Sequence, residues 1–68
     1  MQHTQEFWAK PARPRRTKAG QRVWAMWYTR RVYRGELAST PVLTDVRCEQ
    51  GMVKWTARVR LYPPAIEI

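Results

Sequence analysis

From Val53 to Leu61 the chain alternates without interruption. Val53, Trp55, Ala57, Val59 and Leu61 form one set, and Lys54, Thr56, Arg58 and Arg60 the other. Period two is the side-chain repeat of a β-strand, whereas a helix would scatter these residues around its circumference. Met52–Tyr62 is therefore predicted as a strand with one buried and one cationic face, ended by Pro63 and Pro64. The preceding segment alternates too, with Val42, Thr44, Val46 and Cys48 against Leu43, Asp45, Arg47 and Glu49. A Gln50-Gly51 turn joins the two runs, although Gln-Gly is a weaker turn signal than Asn-Gly. A two-residue loop pairs Cys48 with Val53, Val46 with Trp55, Thr44 with Ala57 and Val42 with Val59. A three-residue loop would set Val46 against Lys54 and break that face.

Val23–Arg34 is rich in aromatic and β-branched residues, which favours a third strand, long and bent; a helix over Gln21–Arg34 is the alternative. Gly35-Glu36 supplies a turn and Leu37–Pro41 a short loop. Residues 10–22 hold two prolines, a glycine and six cations, and read as an extended arm. The expected fold is mainly β: a small three-stranded antiparallel meander with a flexible basic N-terminal arm. Residues 1–21 make the arm and 22–68 the β domain, and a curled barrel would satisfy the same pattern. One sheet face needs a cover. Phe7 and Trp8 of the arm, Ile66 and Ile68 at the C-terminus, or a second copy in a homodimer could provide it. Ile66–Ile68 could also add a short edge strand.

The charge is as uneven as the hydropathy. Lys10 to Arg34 carries nine basic residues and no acid, and the whole chain has a formal net charge of +8. Cations interleaved with flat rings suit a polyanion with stackable bases. The arm would track phosphates through Arg13, Arg15, Arg16 and Lys18, and the sheet would add Arg30, Lys54, Arg58 and Arg60. Ten arginines against three lysines fit phosphate and base-edge contacts. Arg47 falls opposite Lys54 in the two-residue register. Like charges facing each other are unfavourable unless an anion lies between them, which points to a phosphate or carboxylate there. The plain alternative is an exposed face balanced by Asp45 and Glu49. Trp55 and Trp27 are assigned to the core, which leaves Trp24 or Tyr28 as the stacking ring.

Catalysis and metal binding find no constellation. His3 is the only histidine and lies at a terminus, and Cys48 falls on the inferred apolar face, where a thiol packs. Asp45 and Glu49 would be about 13 Å apart on a strand, too far to share a metal. No cysteine pair, glycine-rich phosphate loop or zinc spacing is present. The expectation is a non-enzyme with no cofactor. No apolar run approaches the ~18 residues of a membrane span, and the N-terminus lacks the apolar core of a secretory signal. A lone cysteine fits a reducing, cytoplasmic setting. Size and basic arm are similar to those of small accessory proteins of phages or ribosomes, a likeness of composition that assigns no residue. The sequence thus reads as a small DNA- or RNA-binding protein. The alternative is a protein-interaction module or inhibitor, for example a phage-encoded effector, that binds an acidic partner.

Overall fold

A computed structural model describes residues 1–63. Three strands and one helix follow in the order β1 (Gln2–Ala9), α1 (Lys18–Val32), β2 (Val42–Glu49) and β3 (Met52–Arg60). The strands form one antiparallel sheet in the order β1-β3-β2. β3 is central, which is why its alternation is the clearest in the sequence: it is flanked on both sides and fully covered on one face. The chain is mainly β, as expected, with three antiparallel strands. Their identity differs from the expected meander, and the sheet does not close into a barrel.

The β2–β3 hairpin turns on two residues. Gln50 and Gly51 have φ of 52° and 78°, the left-handed pair that a tight hairpin requires. Cys48 pairs with Val53 and Arg47 with Lys54, as the two-residue loop demands. Beyond them the register slips. Thr44 pairs with Thr56, Leu43 with Ala57 and Val42 with Arg58, so Asp45 and Val46 together oppose Trp55. This is a β-bulge, with Asp45 at φ 57°. The expected pairs Val46–Trp55, Thr44–Ala57 and Val42–Val59 assumed unbroken alternation. Leu43 and Val46 stand three apart and would lie on opposite faces of a regular strand. The bulge brings both into the core, each 6% exposed, and turns Val42 out to solvent.

Val23–Arg34 is not a strand; most of it belongs to α1. Thr17 caps the helix, its Oγ1 accepting from the Gly20 amide at 3.0 Å. The buried stripe is Gln21, Ala25 and Thr29, followed by Tyr33 beyond the helix end. Two of those four are polar, while Val23, Trp27 and Val32 face solvent. The amphipathic pattern is therefore blurred, and β-branched and aromatic residues dominate the local signal. Packing against the sheet overrides that preference.

Nor are residues 1–21 an arm throughout. Gln2–Ala9 is the edge strand β1, running antiparallel to β3 from Gln2↔Arg60 to Ala9↔Val53. Of its side chains only Phe7 is buried, so period two is barely written in the sequence. Residues 18–21 open the helix. One sheet face is covered by α1, which lies over β2 and β3, and Trp8 is exposed. The expectation for Ile66–Ile68 lies outside the described residues.

Trp55 is the hub of the core. Phe7 of β1 stacks on it at 5.2 Å and 10°, and Trp24 and Tyr28 of α1 meet it edge-on at 5.9 and 5.6 Å. Its indole Nε1–H donates to Thr29 Oγ1 at 2.9 Å, and that hydroxyl donates to the Ala25 carbonyl at 2.8 Å. Both residues are at most 1% exposed. Among the described residues no buried side-chain nitrogen or oxygen lacks a partner.

Thr29→Val keeps the shape but strands the indole N–H, and should lower the unfolding free energy by about 1–3 kcal/mol. In a double-mutant cycle with Trp55→Phe, read by urea denaturation, the second substitution should cost less in the Thr29→Val background. Equal costs in both backgrounds would show that the bond contributes nothing. Gln50→Asn, better suited to a left-handed turn position, should raise the unfolding free energy by about 0.5 kcal/mol in the same assay.

Candidate nucleic-acid interface

The sheet divides the cations between two surfaces. Lys54, Arg58 and Arg60 occupy alternate positions on the face of β3 away from the helix, whereas Arg30 lies on the exposed side of α1. The cations expected together on the sheet, Arg30 with Lys54, Arg58 and Arg60, are thus split.

On the open sheet face, Trp8, Lys54 and Arg47 sit in one row across β1, β3 and β2. Lys54 and Arg47 do face each other, and the anion between them is the protein's own. Glu49 accepts from Lys54 Nζ at 2.8 Å and from Arg47 Nε at 3.4 Å, and Arg47 also contacts Asp45 at 2.8 Å. The hydrogen bond and charge of Lys54, followed by the charge of Arg47, hold the Glu49 carboxyl below its usual range. Trp8 is exposed, with the Lys54 ammonium 5.8 Å from its ring. This corner is internally neutralised, so Lys54 is engaged rather than waiting for a ligand.

The outer side of α1 is different. Val23 and Trp27, one turn apart, form an exposed ridge, Val23 72% and Trp27 53% accessible. The Arg31 guanidinium lies 5.3 Å from the Trp27 ring. A groove runs along each flank of the ridge. One is lined by Arg15, Ala19, Gly20 and Trp24, the other by Arg22, Met26, Arg30 and Leu43. Chemically this is a flat ring among guanidinium groups. No carboxylate occurs anywhere from Lys10 to Arg34. The ion pairs found among the described residues involve only Arg47 and Lys54.

The aromatic assignments exchange places. Trp27, expected in the core, is the exposed ring. Trp24 and Tyr28, expected as stacking platforms, are partly buried against Trp55 and against each other at 5.4 Å. Trp24, Trp27 and Tyr28 fall within one arc of the helix, and docking on Trp55 takes Trp24 and Tyr28 and leaves Trp27 at the exposed edge of that arc.

Of the expected arm residues, Arg13, Arg15 and Arg16 are exposed in the connection between β1 and α1. That connection is tied down: Gln21 Nε2 donates to the Arg15 carbonyl at 3.0 Å. Lys18 turns back to the bulge, its Nζ donating to the Val46 carbonyl at 2.6 Å. Its ammonium is occupied by structure, unlike the arginines around it. Arg58 and Arg60 are exposed near the opposite end of β3 from Lys54. Cys48, expected in the apolar face, is exposed at the hairpin end of β2. Among the described residues no group of acids, histidines or cysteines could hold a metal, and no helix is long and apolar enough to cross a membrane. Comparison with protein-family models, with curated proteins and with solved structures finds no match for this chain.

The Glu49 carboxyl has a lower pKa folded than unfolded, so its stabilising effect is complete above the ordinary carboxylate pKa. That effect is lost as pH falls through the folded value. Thermal melts between about pH 5 and pH 2 should therefore show a shallower acid loss for Glu49→Gln than for the parent. Parallel acid limbs would refute this role.

Proposed function

We propose that this chain is a small basic nucleic-acid-binding protein that engages its ligand through the outer face of α1. The observation that carries the reading is the exposed Trp27, with Arg31 against its ring and Arg15, Arg22 and Arg30 lining the flanking grooves. Guanidinium groups neutralise phosphates and release counterions, while the indole offers a face on which a base can stack. Arg13 and Arg16 extend the cationic surface along the β1–α1 connection. Stacking does not discriminate between bases, so binding is tolerant of sequence and steeply dependent on salt. The exposed thiol of Cys48 suits a reducing, cytoplasmic setting.

One observation favours a second reading. Val23 continues the apolar ridge beside Trp27, and an aliphatic-aromatic ridge rimmed by arginine also suits the docking of an acidic protein.

Fluorescence anisotropy of labelled oligonucleotides at several salt concentrations tests the first reading. The parent should bind single strands in roughly the micromolar range at low salt and lose that binding as salt rises. Trp27→Ala should cost about 1–3 kcal/mol of binding free energy. Arg22→Ala and Arg30→Ala should each flatten the salt slope by about 0.7, the contribution of one phosphate contact on a single strand. Absence of binding at low salt would refute nucleic acid as the partner.

A further inference from the structure

The two grooves on α1 do not end at the helix. Arg30 also lines a third depression, formed with Arg34, Leu37, Ser39, Thr40 and Tyr62 beyond the helix C-terminus. Ser39 and Thr40 line a fourth, shared with Arg58 and Arg60 at the end of β3. The four depressions are neighbours: the first two lie on either side of Val23 and Trp27, Arg30 borders the second and third, and Ser39 and Thr40 border the third and fourth. Each contains at least one arginine, and among the described residues no acid lines any of them. The Trp8 depression on the open sheet face shares no residue with this series and contains Glu6.

The corner between the third and fourth depressions is held in place. Leu37 bridges to Leu61, the Ala38 amide donates to the Arg60 carbonyl at 2.7 Å, and the Tyr62 amide donates to the Glu36 carbonyl at 2.9 Å. The Ser39 and Thr40 hydroxyls, which can donate to phosphate oxygens, thus sit on a tethered loop between two pairs of arginines. Tyr62 is 60% exposed beside them and gives a second ring on the path after Trp27.

We infer that the ligand is a single strand that runs along α1 past Trp27, turns at Ser39 and Thr40, and reaches Arg58 and Arg60. This rests on the nucleic-acid reading of the helix face and adds the form of the ligand and its route. Arg58 and Arg60 belong to the sheet face opposite the helix, so the route passes around the end of the molecule. A duplex is stiff over about 150 base pairs and cannot follow so tight a turn. A single strand bends freely, and its unpaired bases can stack at two separated rings.

The test measures affinity against oligonucleotide length. Single strands of 4, 8 and 12 nucleotides and a 12-base-pair duplex, chosen from about the smallest single-strand site upward, are titrated against four proteins. These are the parent, Trp27→Ala, Arg58→Gln/Arg60→Gln, and Arg47→Gln/Lys54→Gln. The last removes the same charge from the neutralised corner and controls for net charge. For the parent, affinity should rise at least about tenfold from 4 to 12 nucleotides as further contacts engage. Arg58→Gln/Arg60→Gln should abolish most of that gain and leave the 4-mer and the duplex unchanged. Arg47→Gln/Lys54→Gln should keep the gain, and Trp27→Ala should weaken every single strand. If Arg58→Gln/Arg60→Gln leaves the length dependence intact, or weakens the duplex as much as the 12-mer, the route is wrong. The helix-face reading then survives as long as Trp27→Ala still weakens binding. If Trp27→Ala has no effect at any length, the helix-face reading falls and takes the route with it.

Discussion

The indole N–H of Trp55 must find an acceptor inside a core that water does not reach. Thr29 provides it, and the consequences extend through the fold. An unpartnered donor at that depth would cost about as much as a whole hydrogen bond contributes. A threonine must therefore face the sheet from α1, and that fixes the rotation of the helix. With Thr29 inward, Ala25 and Gln21 follow one and two turns earlier, while Trp24 and Tyr28 flank Trp55 edge-on. Trp27 has no inward direction left. The exposure of the ring proposed to meet a base is thus the geometric complement of a buried hydrogen bond.

The sheet adds a second constraint. It separates a face where opposite charges satisfy one another from a helix side where, among the described residues, no arginine forms an ion pair. Glu49 stands between Lys54 and Arg47 and neutralises a repulsion that the hairpin register creates. Among the described residues no carboxylate plays that role for the arginines on α1. Unbalanced charge of this kind raises self-repulsion in a small protein, which has little stability in reserve. A bound polyanion relieves that repulsion, which links the charge distribution to the proposed ligand.

How much was legible depended on how local each signal was. β3 could be read residue by residue because both its neighbours are strands and one face is covered. The Gln50-Gly51 turn and the Arg47–Lys54 pair followed from it. The bulge at Asp45 and Val46 is not legible, since unbroken alternation from the two-residue turn already gives β2 a consistent apolar face, and only the burial of Leu43 together with Val46 breaks it. β1 escaped notice because Phe7 is its only buried side chain. The helix was misread as a strand because its inward stripe includes glutamine and threonine while valine and tryptophan face out. That error reversed the roles of Trp27 and of Trp24 and Tyr28, and merged cations that the sheet keeps apart.

By itself the sequence determined the central strand, its tight turn, and a long stretch of cations without acids. These are written in adjacent residues: side-chain alternation, a glycine, a run of like charges. Which ring faces solvent, which cations already have a partner and which depressions lie side by side were settled in three dimensions. Most of those outcomes depend on groups far apart in the chain, Trp55 with Thr29 and Ser39 with Arg60; Glu49 and Lys54 need only the hairpin. Burial and hydrogen bonding across such distances are set only when the helix and the sheet meet.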